Sequence, residues 1–170
     1  SKKQQAFILF LDTEKAFDSL DHNFIFKVLN KIGIPTWVTI AIHGLMTNLE
    51  GQPALAAKTG TSIPITRGVK QGCPLSPLLF ALCYDVLLRR LPGGPDHTSH
   101  AFADDLAIYS LSIENIVESL LVIKEFSTYS GLRLNIDKTS ILTTTRPFYS
   151  DGFALRLQGF GNIKFVSRAK

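Results

Sequence analysis

The hydrophobic and polar positions alternate in blocks that predict short strands and amphipathic helices. A six-residue apolar run, Ala6–Leu11, is typical of a buried strand. Apolar residues then recur at helical spacing over Leu20–Ile32, and a second helix is predicted from Thr36 or Trp37 to about Asn48. Two short strands are predicted around the turn at Thr59–Thr61.

The segment after Cys73 predicts the most apolar helix of the chain. Ser76 is expected to be its N-cap and Pro77 its first residue, with Arg89 and Arg90 near its end. Because this helix is apolar almost all round, we expect it to lie centrally.

A hairpin is predicted next, with strands Thr98–Ala103 and Leu106–Ser110 around a tip at Asp104-Asp105. A helix should begin after Ser112 and end at Gly131. Four further segments have strand character: Leu132–Ile136, Ser140–Thr145, Phe153–Gln158 and Asn162–Ser167. The order of elements favours an α+β fold, a small antiparallel sheet with helices on one face.

Composition limits the class of protein. With 170 residues, 45% of them hydrophobic, and a mean hydropathy of +0.17, the chain is long enough for one domain with a real core. It has neither a disorder-like composition nor an apolar run long enough for a membrane span or a signal peptide. Cys73 and Cys83 lack zinc-ligand spacing and are interpreted as small buried hydrophobes.

The charge is unevenly distributed. Residues 1–135 contain twelve basic and twelve acidic side chains, whereas residues 136–170 contain six basic and two acidic ones. A basic excess there fits a phosphate-bearing partner, although an ordinary solvated surface explains the charge equally well.

The adjacent carboxylates of Asp104 and Asp105 stand inside an otherwise apolar stretch. Like charges repel, so either the pair sits at a turn open to water or a cation binds it. If the strand that ends at Asp12 pairs with this hairpin, three carboxylates meet at one sheet edge. Such oxygen ligands suit Mg²⁺, and two ions about 3.5–4 Å apart can support a phosphoryl displacement.

Four segments in order, "FLDTEKAFDSLDH", "RGVKQGCPLSPLLF", "AFADDLAIYS" and "SGLRLNIDKTSIL", resemble successive palm motifs of reverse transcriptases. The motif "QGCPLSP" is most similar to that of the non-LTR, LINE-type retrotransposon family. The resemblance covers nearly the whole chain and implies a polymerase palm as the single, partial domain over residues 1–170. It also implies RNA-directed DNA polymerase activity with an RNA template, a DNA primer and dNTPs as partners.

The resemblance assigns roles to individual residues. Asp12, Asp104 and Asp105 correspond to the ligands of two Mg²⁺ ions, with Mn²⁺ as an alternative, and the Thr13 carbonyl is a further candidate ligand. Lys138 corresponds to a lysine that protonates the departing pyrophosphate.

Other positions correspond to the nucleotide site. Phe17 matches the bulky residue that excludes a ribose 2′-hydroxyl, and the backbone amides of Lys15 and Ala16 would face the triphosphate. Gln71 and Gly72 match contacts to the incoming nucleotide and the template. His22, in the first motif, is assigned a structural role.

The resemblance also suggests what the flanks contain. The fingers are expected before residue 1 and the thumb after residue 170, so we expect little or no activity from this piece alone. The parent protein is expected to be intracellular and nuclear, with no membrane partner; the sequence does not fix an oligomeric state. A group II intron or retron enzyme, or a degenerate RNA-binding palm without catalysis, stands as the alternative.

Overall fold

The computed structural model describes residues 5–47, 50–51, 63–64, 67–70, 72–144, 155–156 and 162–167. The described part contains five helices: α1 (Ala16–Ser19), α2 (His22–Lys31), α3 (Thr36–Thr47), α4 (Leu75–Leu88) and α5 (Ile113–Ser130). Its strands are β1 (Phe7–Leu11), β2 (Thr13–Glu14), β3 (Glu50–Gly51), β4 (Ile63–Pro64), β5 (His97–Phe102), β6 (Asp105–Ser110), β7 (Arg133–Leu134), β8 (Ser140–Thr143), β9 (Leu155–Arg156) and β10 (Asn162–Ser167).

The main sheet has six strands in the order β5-β6-β1-β8-β10-β9. Strand β1 lies between β6 and β8 and pairs antiparallel with both. The expected antiparallel sheet is wrong at one position, because β10 runs parallel to β8.

Alternation along the strands divides the sheet into a buried face and an open face. In β1, Leu9 is fully buried, whereas the neighbouring Phe10 is 46% exposed. Leu106 and Ile108 of β6 and Ile141 of β8 are buried on the same face as Leu9. Helices therefore cover one face only, as the alternating pattern predicts.

Helices α2 and α5 begin and end close to the positions that the sequence predicts. The Ser112 side chain accepts a hydrogen bond from the Glu114 amide at 3.2 Å, and Gly131 ends α5 with a φ of 81°. Helix α2 begins after Asp21, whose carboxylate accepts from the Phe24 amide at 3.2 Å. These caps satisfy backbone groups that helix ends leave unpaired.

The predicted start of α4 is wrong. The helix begins at Leu75, with Pro74 at its N-cap, so Ser76 is already inside the first turn. The Ser76 hydroxyl donates to the Lys70 carbonyl at 2.7 Å instead of accepting from an amide of the helix. It therefore ties the preceding loop to the helix, and Pro77 is tolerated because the first turn needs no amide donors.

The remaining predictions concern the short strand pairs, one turn and the absence of a membrane span. The strands β3 and β4 pair antiparallel, as do β9 and β10. The Thr59–Thr61 turn lies outside the described residues. No helix in the described part of the chain is long and apolar enough to cross a bilayer.

Candidate active site

The strand β1 delivers Asp12 to the edge where the β5–β6 hairpin turns. The β1–β6 register runs from Phe7 opposite Ser110 to Leu11 opposite Leu106. One step further along this register are Asp12 and Asp105. Opposite residues in antiparallel strands have Cα atoms about 4.5–5.5 Å apart, so a continued register would put these two residues opposite each other at one edge of the sheet.

The hairpin tip differs by one residue from the predicted one. Phe102 pairs with Asp105, so the turn consists of Ala103 and Asp104 and Asp105 already belongs to β6. Ala103 has a φ of 54°, a left-handed conformation that costs a non-glycine residue energy. Asp104 therefore lies in this strained turn, whereas Asp105 is the first residue of the strand β6.

The acidic pair is open to solvent. Asp104 is half-buried and Asp105 exposed, while the next residue, Leu106, is buried. Water therefore relieves the repulsion between the charges, as the turn interpretation expects. The same opening leaves room for a ligand above the carboxylates.

Lys138 lies beside the first carboxylate. Its Nζ is 3.7 Å from Asp12 Oδ2, with the lysine side chain 69% and the aspartate side chain 36% exposed. The backbone fixes this neighbourhood, since the Asn135 amide donates to the Asp12 carbonyl at 2.9 Å. The turn after β7 is thereby anchored to the end of β1. An exposed pair of this kind contributes little stability, on the order of 0–1 kcal/mol.

Tyr84 of α4 is part of the site, and the motifs did not indicate it. The residue is 5% exposed, and the Thr13 side chain and the charges of Asp104 and Asp105 act on its phenol. Burial is the largest influence and, with these charges, raises the pKa of Tyr84 to about 12, against the lowering effect of the Thr13 hydrogen bond. The phenol is therefore neutral at physiological pH. The clue in the sequence is a tyrosine inside an otherwise apolar helix, because a buried hydroxyl needs a partner.

Three aromatic rings connect the site to Phe17. The Phe17 and Phe80 ring centroids are 4.5 Å apart, and those of Phe80 and Tyr84 are 5.3 Å apart, both pairs stacked. Phe80 and Tyr84 are four residues apart on α4 and therefore lie on one helix face. The half-buried Phe17 ring thus packs against α4. One turn further along this helix, Tyr84 is close enough to Asp104 and Asp105 to feel their charges.

The remaining predicted nucleotide residues lie in two loops. Lys15 has left-handed backbone angles (φ 43°, ψ 51°) and is followed by helical Ala16, a combination that can turn consecutive amides toward an anion. The Ala16 side chain is 3% exposed, so it points away from that loop surface. Gly72 is exposed with a φ of 82°, and a Cβ there would meet no atom of the described residues within 4 Å. Gln71 lies outside the described residues.

The acidic side chains at this sheet edge are the candidate metal ligands. Within the described residues, no three His, Cys, Asp or Glu side chains form a ready-made metal site. Carboxylate oxygens with access to water nevertheless fit Mg²⁺, which commonly binds one or two carboxylates and completes its shell with water and substrate phosphates. Cys83 is unsuited to such chemistry, because burial raises the pKa of its thiol to about 12.

Comparison with known proteins decides the family. The family model described as "Reverse transcriptase (RNA-dependent DNA polymerase)" matches residues 1–155. The chain belongs to the reverse transcriptase family. The resemblance stated from the four motifs is thereby confirmed.

Curated relatives come from retrotransposable elements. The chain is 37% identical over 149 residues to the Pol polyprotein of the R2DM element of Drosophila melanogaster, covering 79% of the chain and 13% of that protein. It is 34% identical over 135 residues to the R2 polyprotein of Nasonia vitripennis, covering 75% of the chain and 13% of that protein. These relatives confirm the LINE-type assignment, and the chain spans only a small part of their length.

Solved structures confirm the α+β palm fold of this reverse transcriptase chain. An apo telomerase of Candida tropicalis, truncated from its C-terminal domain, matches with a TM-score of 0.65 at 16% identity, covering 85% of the chain and 32% of that protein. The telomerase of the same organism in complex with a fragment of telomeric RNA matches with a TM-score of 0.63 at 14% identity, covering 84% of the chain and 27% of that protein.

Proposed function

We propose that this chain is the catalytic palm of an RNA-directed DNA polymerase of a LINE-type retrotransposon. The reaction joins a deoxynucleotide from a dNTP to the 3′-hydroxyl of a DNA primer on an RNA template. The observation that carries the proposal is the β1–β6 register, which brings Asp12 and Asp105 to the same edge beside Asp104. Family membership and the R2 relatives support the same activity.

The carboxylates of Asp12, Asp104 and Asp105 would hold two divalent ions, Mg²⁺ or Mn²⁺, with the Thr13 carbonyl as a further ligand. When bound, such ions stabilise the negative charge that develops on the phosphoryl oxygens during nucleotidyl transfer. The carboxylates themselves orient the reacting groups at the sheet edge. The hairpin provides the rigidity that such positioning requires.

Lys138 supplies a proton in this proposal. Its ammonium group lies on the side of Asp12, and it is exposed enough to reach a bound triphosphate. Proton donation to the leaving pyrophosphate oxygen neutralises charge as the bond to the α-phosphorus breaks. The amides of Lys15 and Ala16 would bind the same triphosphate through their N–H groups.

Phe17 selects the sugar. Its ring lies against Phe80 and cannot move aside easily, so a ribose 2′-hydroxyl would collide with it whereas a deoxyribose fits. Gln71 and Gly72 would contact the base pair formed by nucleotide and template. The basic residues after Asn135, among them exposed Lys164, would attract the phosphate backbone of the nucleic acid.

Primer extension on an RNA template with the full-length protein tests the proposal. Asp104→Asn removes one carboxylate charge while preserving size, and we expect synthesis to fall at least about 100-fold. Asp96→Asn, at an exposed position outside the site, is the matched control and should leave the rate unchanged. Undiminished synthesis in Asp104→Asn would refute the metal assignment. A wild-type protein that binds RNA but never extends a primer would favour the degenerate palm.

A further inference from the structure

Residues 67–69 are bonded to the loop that carries Phe17. The Val69 amide donates to the Phe17 carbonyl at 2.8 Å, and the Gly68 amide donates to the Leu20 carbonyl at 2.8 Å. Two consecutive amides thus fix both ends of the short helix α1. Because α1 has only four residues, these tertiary bonds rather than helix propensity hold it in place.

Gly68 lies in direct contact with α1. A Cβ on Gly68 would be 2.8 Å from the Asp18 carbonyl oxygen and 2.9 Å from its Cα, and the φ of Gly68 is 83°. Only glycine permits this approach and this backbone conformation. The two backbones are therefore packed as closely as they can be, and a shift of one displaces the other.

His22 holds Gly68 from the other side. Its Nε2–H donates to the Gly68 carbonyl at 2.7 Å, and the residue is 8% exposed. A buried hydrogen bond of this kind is costly to lose, since the carbonyl would remain unpaired. Gly68 is consequently bonded through its amide to residue 20 and through its carbonyl to residue 22.

The bonded segment lies shortly before Gly72, a predicted nucleotide contact, in the sequence. Its residues 68 and 69 are bonded to residues 20 and 17, so the position of the predicted sugar contact depends on this short stretch of backbone. A sub-ångström displacement of this stretch would move the Phe17 backbone through the Val69 hydrogen bond. Such displacements are sufficient to alter reaction rates and selectivity.

We propose that His22 is a positioning residue for nucleotide selection, which acts through its hydrogen bond to the Gly68 carbonyl and through Val69 on Phe17. This inference rests on the proposed function and deepens it. His22 touches no substrate in this scheme. Its role exceeds the structural one that the sequence suggested, because the segment that it fixes is bonded to Phe17, the proposed sugar contact.

Three variants of the full-length protein test the role. His22→Gln retains an amide nitrogen near the position of Nε2, His22→Phe retains the ring without a donor, and His22→Asn retains an amide too short to reach. We expect His22→Phe and His22→Asn to raise the dNTP KM and lower the dNTP-over-rNTP preference about five- to tenfold, with a smaller change in kcat. His22→Gln should remain within about twofold of the wild type. If His22→Phe does not fold, the comparison of His22→Asn with His22→Gln decides.

His97→Phe is the control for a merely structural effect. His97 is also buried, at 3% exposure, and its Nε2 is 3.2 Å from Ser119 Oγ, but it lies at the far end of β5. It should lose stability without a change in nucleotide preference. If His22→Phe behaves in the same way, or if all three His22 variants keep the wild-type preference, the inference is overturned.

Hydrogen exchange provides a readout that needs no polymerase activity. In His22→Phe, the amides of Gly68 and Val69 should exchange faster, while those of β6 remain protected. Unchanged exchange at both amides would overturn the inference even in an inactive protein. If the wild-type protein does not extend a primer at all, the proposed function is refuted instead, so the two failures can be told apart.

Discussion

Phe17 stacks on Phe80, with ring centroids 4.5 Å apart and an interplanar angle of 25°. Phe80 is 3% exposed and belongs to α4, the helix that also presents Tyr84 to the carboxylates. The proposed sugar selector and the acidic edge therefore share one rigid support. Changes in this helix should affect selectivity without touching a substrate.

Phe80→Leu should relax sugar selection. The smaller side chain removes the stacking surface under Phe17, so its ring gains freedom to move from a ribose 2′-hydroxyl. We expect ribonucleotide incorporation to rise several-fold at a stability cost of about 1–1.5 kcal/mol. Phe126→Leu, at a core position with 1% exposure, controls for stability alone. Equal selectivity in both variants would contradict the support role of Phe80.

Tyr84→Phe should slow nucleotide incorporation. The variant keeps the buried ring but removes the hydroxyl that interacts with the Thr13 side chain and with the charges of Asp104 and Asp105. We expect kcat to fall about tenfold and the free energy of unfolding to fall by only about 1 kcal/mol. Tyr129→Phe removes a hydroxyl that bonds with Arg90, away from the site, and is the matched control. A kcat in Tyr84→Phe equal to that of the control would rule out this role.

Local signals explain which elements were predictable. The cap at Ser112 and the left-handed Gly131 mark both ends of α5, and the continuous apolar run Ala6–Leu11 identifies the central strand. Each of these signals lies within a few residues of the element that it defines. The long helices and the strands of the main sheet were therefore predicted, with small errors at their ends.

Elements that depend on distant contacts were missed. Helix α1 is fixed by backbone bonds from residues 68 and 69, and β2 exists only through its pairing with β7. Tyr84 joins the site because α4 packs beneath the carboxylates, which no local pattern reveals. The pairing of the Asp12 strand with the hairpin entered the sequence analysis only as a condition, since strand order is a tertiary property. The roles assigned to individual site residues stay predictions.

Lys138→Arg tests whether Lys138 donates a proton or contributes only its positive charge. Arginine retains the positive charge but holds its proton too firmly to serve as a general acid. We expect pre-steady-state incorporation to fall about 100-fold in Lys138→Arg and in Lys138→Met alike. The lysine side chain is 69% exposed, so both variants should keep the wild-type melting temperature. Near-normal incorporation in Lys138→Arg would limit the role of Lys138 to electrostatics.

Gly131→Ala should destabilise the fold more than an ordinary glycine substitution. A Cβ there would lie 2.5 Å from the Ser19 carbonyl oxygen, and the φ of Gly131 is 81°. Gly33 has a nearly identical φ of 82°, but a Cβ there would meet no atom of the described part of the chain within 4 Å, so Gly33→Ala measures the backbone cost alone. We expect losses of about 1 kcal/mol for Gly33→Ala and about 3 kcal/mol or more for Gly131→Ala in denaturant unfolding. Equal losses of unfolding free energy would show that α1 can shift at Ser19 to make room for the Cβ.

His97 should make the stability of the fold depend on pH. Burial lowers the pKa of His97 below the value of about 6.5 expected in the unfolded chain, and the nearby charge of Glu118 opposes this only partly. The unfolded state therefore binds the proton more readily than the folded state. This contribution to stability is complete above about pH 6.5 and is lost as the pH falls through the folded-state pKa. His97→Gln keeps a polar group near Ser119 but does not titrate, so its melting temperature should fall less than that of the wild type between about pH 7.5 and 5. Parallel melting curves for the two proteins across this range would assign the acid sensitivity to other groups.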